Sequence, residues 1–176
     1  MKRLVLSLFA CLAYTTAPVE AITFDFLGLD AAVPDGDPSG LADFRTISTG
    51  ITSIESITVS LTLTGTYNGD LYTYLTHGTG FSILLNRVGR TAADSFGYSD
   101  AGFTITLADG AANGDIHIYQ SGTNPTIPTA GNPLTGVWQP DARLIDPDLV
   151  TNTDSRTAFL SSFVGLNPNG EWTLFV

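Results

Sequence analysis

Lysine is nearly missing from this chain, cysteine occurs once and histidine twice. The one lysine and the one cysteine, Lys2 and Cys11, both lie at the N-terminal end. Lys2 and Arg3 precede an apolar run at residues 4–13, far shorter than the roughly 20 residues that span a bilayer. Val19-Glu20-Ala21 then offers small residues where a signal peptidase reads, so residues 1–21 are expected to be a secretory signal peptide cleaved after Ala21. A rival reading takes Leu8-Phe9-Ala10-Cys11 as a bacterial lipoprotein box with Cys11 lipidated. On the first reading residues 22–176 form one mature domain without cysteine. That excludes a disulfide, a thiol nucleophile and a cysteine metal site. The mature chain keeps five Arg, no Lys and 16 acidic residues, a net charge of −11. Such a surface repels nucleic acid and anionic lipid but is compatible with divalent cations. No membrane span is expected in the mature chain, which should be secreted and extracellular, with periplasm or cell surface as alternatives.

What is present is β-rich. "SITVSLTLTGTY" alternates Ile57, Val59, Leu61 and Leu63 with Thr58, Ser60, Thr62 and Thr64, the pattern of a strand buried on one face. "DLYTYLTH", "FSILLN", "FTITLA" and "DIHIYQ" read as further strands, and "ITFDFLG" as the first. Many short strands with turn residues between them predict an all-β antiparallel sandwich or jelly roll. Asn-Gly-acid-apolar recurs at Asn68, Asn113 and Asn169, and reads each time as a hairpin turn launching a strand. Two stretches read as irregular: the Asp-rich "DAAVPDGDPSGLADF", and a long segment from Ser121 to Phe159. For "RTAFLSSF" a helical turn and an extended core segment are both open.

Chemistry is sparse. No Gly-x-Ser-x-Gly elbow occurs, and the two histidines, His77 and His117, sit 40 positions apart. His77 reads as a loop residue and His117 as a surface or cross-strand residue. Neither a triad nor a zinc site is expected. No phosphate loop is present. Catalytic and organic-cofactor residues are therefore expected to be none. Calcium is the one candidate cofactor, because oxygen ligands on irregular loops suit a hard cation. "DPDLVTNTD" offers Asp146, Asp148, Asn152 and Asp154, and "PDGDPSG" offers Asp35 and Asp37. The bland reading is Asx-turns on a solvated loop. Tyr67, Tyr72, Tyr74 and Tyr98 are sugar-platform candidates, although Tyr72 and Tyr74 fit cross-strand packing equally well. Trp138 and Trp172 read as core. Arg87 and Arg90 read as a clamp between loops.

"SITVSLTLTGTYNGDLYTYL", "FSILLNRVGR" and "GLNPNGEWTLFV", in that order, resemble the P domain (P/Homo B) of subtilisin-like proprotein convertases over residues 51–176. The chain is more similar still to secreted bacterial relatives that carry this domain alone, often with a PEP-CTERM sorting tail. The resemblance implies a jelly-roll sandwich similar to galactose-binding domains; it does not imply protease activity, since the P domain of convertases lies outside their catalytic domain. In those relatives the chain continues past "WTLFV", so this chain is expected to lack its last strand and to self-associate through an unpaired edge. The functional expectation is a non-catalytic exported module that binds an unidentified extracellular protein or polysaccharide or serves a structural role. An accessory role in subtilisin-like proteolysis and a carbohydrate-binding module are the alternatives.

Overall fold

The computed structural model describes residues 21–26 and 31–176. The chain divides into two compact units, Met1–Ala31 and Ala32–Val176. In the first, the expected signal segment, with Cys11, lies outside the described residues except for Ala21. Residues 22–26 are exposed and form no strand, contrary to the reading of "ITFDFLG" as the first strand. "ADFRTI" supplies the first strand instead, from the end of a stretch read as irregular loop.

Seven strands make up the second unit: β1 (Ala42–Ile47), β2 (Val59–Leu63), β3 (Tyr72–His77), β4 (Gly80–Asn86), β5 (Phe103–Leu107), β6 (Leu134–Trp138) and β7 (Gly170–Phe175). They form two sheets, ordered β1-β7-β3-β4 and β2-β5-β6. The first is antiparallel throughout. In the second, β5 and β6 run parallel, which corrects the expectation of purely antiparallel pairing. A parallel neighbour needs a long crossover, and the chain between β5 and β6 supplies it. β6 also lies inside the long segment read as structureless.

The alternation of β2 is realised. Leu61 is buried, Ser60 and Thr62 are exposed, and the Ser60 and Thr106 hydroxyls meet at 2.9 Å across the strand pair. In β3, Thr73, Leu75 and His77 turn inward while Tyr72, Tyr74 and Thr76 turn outward. A two-residue loop, Gly78-Thr79, joins β3 to β4, and Gly78 takes a φ of +56° that a side chain disfavours. In β4 every residue from Ser82 to Asn86 is buried. A register shift opposite Thr73 and Tyr74 lets Ile83, Leu84 and Leu85 all leave solvent. The outer edge of β4 is covered by later chain: Asp141 N and Ala142 N donate to Leu84 O and Ile83 O, and Ile83 N donates to Ala158 O.

The Asn-Gly copies do not behave as hairpin turns. Asn68–Asp70 is itself a 3₁₀ turn, entered through a left-handed Tyr67 (φ 72°). Asn68 is buried as a cross-link: Gly102 N donates to its Oδ1 at 2.7 Å, and its Nδ2 donates to Gly102 O at 3.1 Å. The second copy leads into a 3₁₀ turn at Ile116–Ile118, where a strand was expected. The third opens β7, which is bonded on both sides, to β1 and to β3. A further 3₁₀ turn at Leu160–Phe163 decides between the two readings of "RTAFLSSF" in favour of a helical turn. The apolar faces of both sheets meet in one core that includes Leu61, Phe103, Leu107, Trp138, Leu85 and Trp172, with Phe163 and Tyr119 packed among them.

Candidate functional site

His117 and Asp141, both 0% exposed, meet with His117 Nδ1 2.8 Å from Asp141 Oδ2. The 3₁₀ turn places them. Asp115 caps it, its Oδ1 accepting from His117 N, and one three-residue turn sets Ile116 and Tyr119 on the core face. That same turn carries His117 inward, which corrects the reading of His117 as a surface residue. A His–Asp pair of this geometry is the base-and-orienter half of a hydrolytic site. Here the other ring nitrogen, Nε2, faces the Arg90 carbonyl at 2.9 Å instead of a nucleophile. Both ring nitrogens thus face acceptors, and the pair is closed.

Around it the charges interlock. Arg143, 2% exposed, donates through Nη2 to Asp115 Oδ2 at 2.7 Å and to Asn152 O at 3.0 Å. Its Nη1 reaches Asp115 Oδ1 and Asp141 Oδ1, each at 3.2 Å. Burial opposes the Arg143 charge, but Asp115 and Asp141 outweigh it and raise the guanidinium above its ordinary range. Arg156 donates to the Asp141, Gln139 and Pro140 oxygens at 3.0, 2.9 and 2.7 Å and lies over the Phe159 ring. Burial lowers its guanidinium below the ordinary range, because Asp115 only partly offsets the loss of water and Arg143 adds repulsion. Ala142, buried with φ 59°, turns the backbone so that Asp141 and Arg143 both enter the cluster. A left-handed non-glycine residue persists only where its surroundings over-determine it.

The cluster fixes the backbone of residues 141–157, and two further arginines fix its outer turn. Arg87 donates to Gly69 O (3.1 Å), Asp148 Oδ1 (3.3 Å) and Ser95 O (3.3 Å). Arg90 donates to Val150 O at 2.6 Å and to Asp148 O. These two arginines therefore do clamp loops. Asn86 adds bonds from Nδ2 to Arg143 O and Ile145 O.

The other sequence candidates are scattered. Asp146 Oδ1 accepts from Asp148 N, Asp148 pairs with Arg87, and Asp154 Oδ2 accepts from Thr151 N and Oγ1. Asn152 contributes its carbonyl to Arg143. Asp37 accepts from Ser39 N, the bond that chiefly lowers its carboxyl, and Asp35 is exposed. Among the described residues no three His, Cys, Asp or Glu side chains converge as a metal cage. His77 is no loop residue: it ends β3, is 8% exposed, and stacks on Trp172 at 4.2 Å, its nitrogens 2.7 Å from Glu171 O and 2.8 Å from Asn167 O. Of the four tyrosines, Tyr72 and Tyr74 come together on the outer face of β3. Tyr74 lies parallel to Phe175, with ring centroids 4.8 Å apart and planes at 9°. Rings stacked on one another spend their faces there, whereas a sugar platform needs a free face. Tyr98 packs edge-on against Tyr119 at 4.6 Å.

Sequence reasoning missed Asp115, Asp141, Arg143 and Arg156. Local signal existed only for Asp115, as an acid at an N-cap position. No helix among the described residues is long and apolar enough to cross a membrane. No family model, curated relative or solved structure matches the chain.

Proposed function

We propose that this protein is a non-catalytic, exported β-sandwich module that works by binding at the cell exterior. The closed state of the His117–Asp141 pair carries the reading. The pair best suited to general-base chemistry is sealed from solvent, with its outward nitrogen on a backbone carbonyl. Its arginine neighbours direct their terminal nitrogens at carboxylates and loop carbonyls, which is the work of holding a surface in shape. The finer fold assignment, a jelly roll similar to the galactose-binding-like P domains, rests on the resemblance of residues 51–176, and the two-sheet architecture is compatible with it. Export rests on the N-terminal segment alone.

The test is to incubate the purified protein with casein, basic-site peptides and simple esters, and separately with isolated cell-envelope material. Retention by the envelope without turnover is expected. Turnover that survives purification and disappears on replacing one serine by alanine would overturn the proposal.

A further inference from the structure

Four large apolar side chains stand in solvent on two neighbouring loops: Phe96 (65% exposed) on one, and Leu144 (59%), Ile145 (37%) and Leu149 (69%) on the other. Singly, exposed apolar residues are ordinary, but a group of them at one place is not. A loose loop would fold such tips back onto the protein. These loops are held open. Arg87 joins them, bonding Ser95 O on one side and Asp148 Oδ1 on the other. Arg90 holds Val150 and Asp148 by their carbonyls, and Val150 itself is fully buried as an anchor. Asn86 holds Arg143 O and Ile145 O. The first loop is closed by Thr91 N donating to Asp94 O at 2.8 Å, and by Asp94 Oδ1 accepting from Phe96 N at 3.0 Å. Leu149 N and Val150 N both donate to Asp146 O, so Leu149 tops a tight turn.

The exposed charge around these tips is predominantly negative. Asp70, Asp94, Asp146 and Asp148 are all exposed, the Asp148 side chain by 87% and the Asp70 side chain by 54%. Arg87 and Arg90, the cations beside them, are only partly exposed and turned to their acceptors. A ligand for this rim must therefore bring apolar groups for the four tips and cations for the acids. An anionic glycan or lipid surface meets repulsion. A neutral bilayer would take the tips only by stripping water from the adjoining carboxylates, a cost it cannot offset.

We propose that the rim formed by Phe96, Leu144, Ile145 and Leu149 docks a polypeptide segment that alternates apolar and basic residues. The proposal rests on the binding-module reading and names its partner class. Pre-ordering is the device. With both backbones already fixed, binding loses little loop entropy. Apolar tips supply the contact and the acids select the partner's sign.

The experiment titrates ¹⁵N-labelled purified protein with three probes: a 12-residue peptide alternating Leu and Arg, its Leu/Glu counterpart, and zwitterionic phosphatidylcholine vesicles. A net-negative protein attracts any cationic peptide diffusely, so position and side-chain dependence decide. The Leu/Arg peptide is expected to shift residues 94–97 and 144–149 and to lose about tenfold in affinity in Leu149→Ser and in Phe96→Ser. Asp70→Asn, at the acid least engaged in holding the loops, should weaken it and reduce its salt dependence. Thermal melting of the Leu149 and Phe96 variants should match the parent, since both side chains are exposed. A variant that melts lower is set aside in favour of the other. Shifts spread over the acidic surface, affinity indifferent to both apolar substitutions, or equal binding of the Leu/Glu peptide would each overturn the proposal. Vesicle binding that moves the same residues would overturn it in favour of a lipid surface. None of these failures bears on the absence of turnover, which the previous proposal stakes.

Discussion

Arg143 is the most deeply buried arginine among the described residues. It binds Asp115 and Asp141 at once, both nearly or wholly out of water, so removing it takes the nearest cation from two buried carboxylates and leaves them His117, backbone N–H groups and the more distant Arg156. Replacing a buried ion-pair partner typically costs about 3–5 kcal/mol. Arg143→Met is therefore expected to lower unfolding free energy by about that amount in urea titration, with Arg87→Met, at the more exposed loop contact, costing clearly less. Tyr119 gives a second test at this scale. Burial first, then its bond to Asp100 Oδ2 at 2.6 Å, raise the Tyr119 phenol above the ordinary range, and burial leads the same rise at Tyr72. A raised folded value means that the unfolded chain gives up the proton first. The stabilisation is thus full below about pH 10, the ordinary tyrosine value, and is lost as pH rises beyond it. Melting temperature should fall as pH rises past about 10, and Tyr119→Phe should flatten part of that fall. Little of this was legible beforehand. Arg143 and Asp115 sit 28 positions apart, and no local rule pairs them.

Elements were legible where neighbours in sequence decide them. Residues 57–63 and 72–77 alternate because one face of each strand meets the core, and period two states that directly. "DIHIYQ" alternates too, yet it turns. Ile116 and Tyr119 are three apart, which suits a 3₁₀ turn, and Asp115 caps it. The period was ambiguous over so short a run, and the cap was the better signal. Glycine offers the test at this scale. Gly78 and Gly97 both have positive φ, +56° and +75°, but a Cβ at Gly78 meets open space while one at Gly97 lies 2.5 Å from Val88 O. Gly78→Ala should cost about 1 kcal/mol, the backbone penalty alone. Gly97→Ala should cost more, by about 1–3 kcal/mol, because the 91–97 loop must also move. Chemical denaturation of the two variants side by side checks the difference.

At the scale of the whole molecule, two sheets around one core could be foreseen from strand content, but their order could not. Strand neighbours here are remote in sequence: Asn169 Oδ1 accepts from Thr49 N across 120 positions. The parallel β5–β6 pair has no sequence signature, since its strands look like any others. β7 sits between β1 and β3, and Trp172 on it packs against Phe163 and His77. Trp172→Ala is expected to cost about 3–5 kcal/mol, read by thermal unfolding. Stopping the chain after residue 168 should abolish cooperative melting altogether.

The place of β7 also sets a clock. A ribosome makes β1, β3 and β4 well before the strand that joins them, so the first sheet cannot close on a partial chain. Until β7 emerges, β1 has no partner in that sheet. Pairings of such wide separation also form slowly. A molecule that knits its first sheet together with a late central strand holds that sheet unfinished while the second, complete by Trp138, can already form.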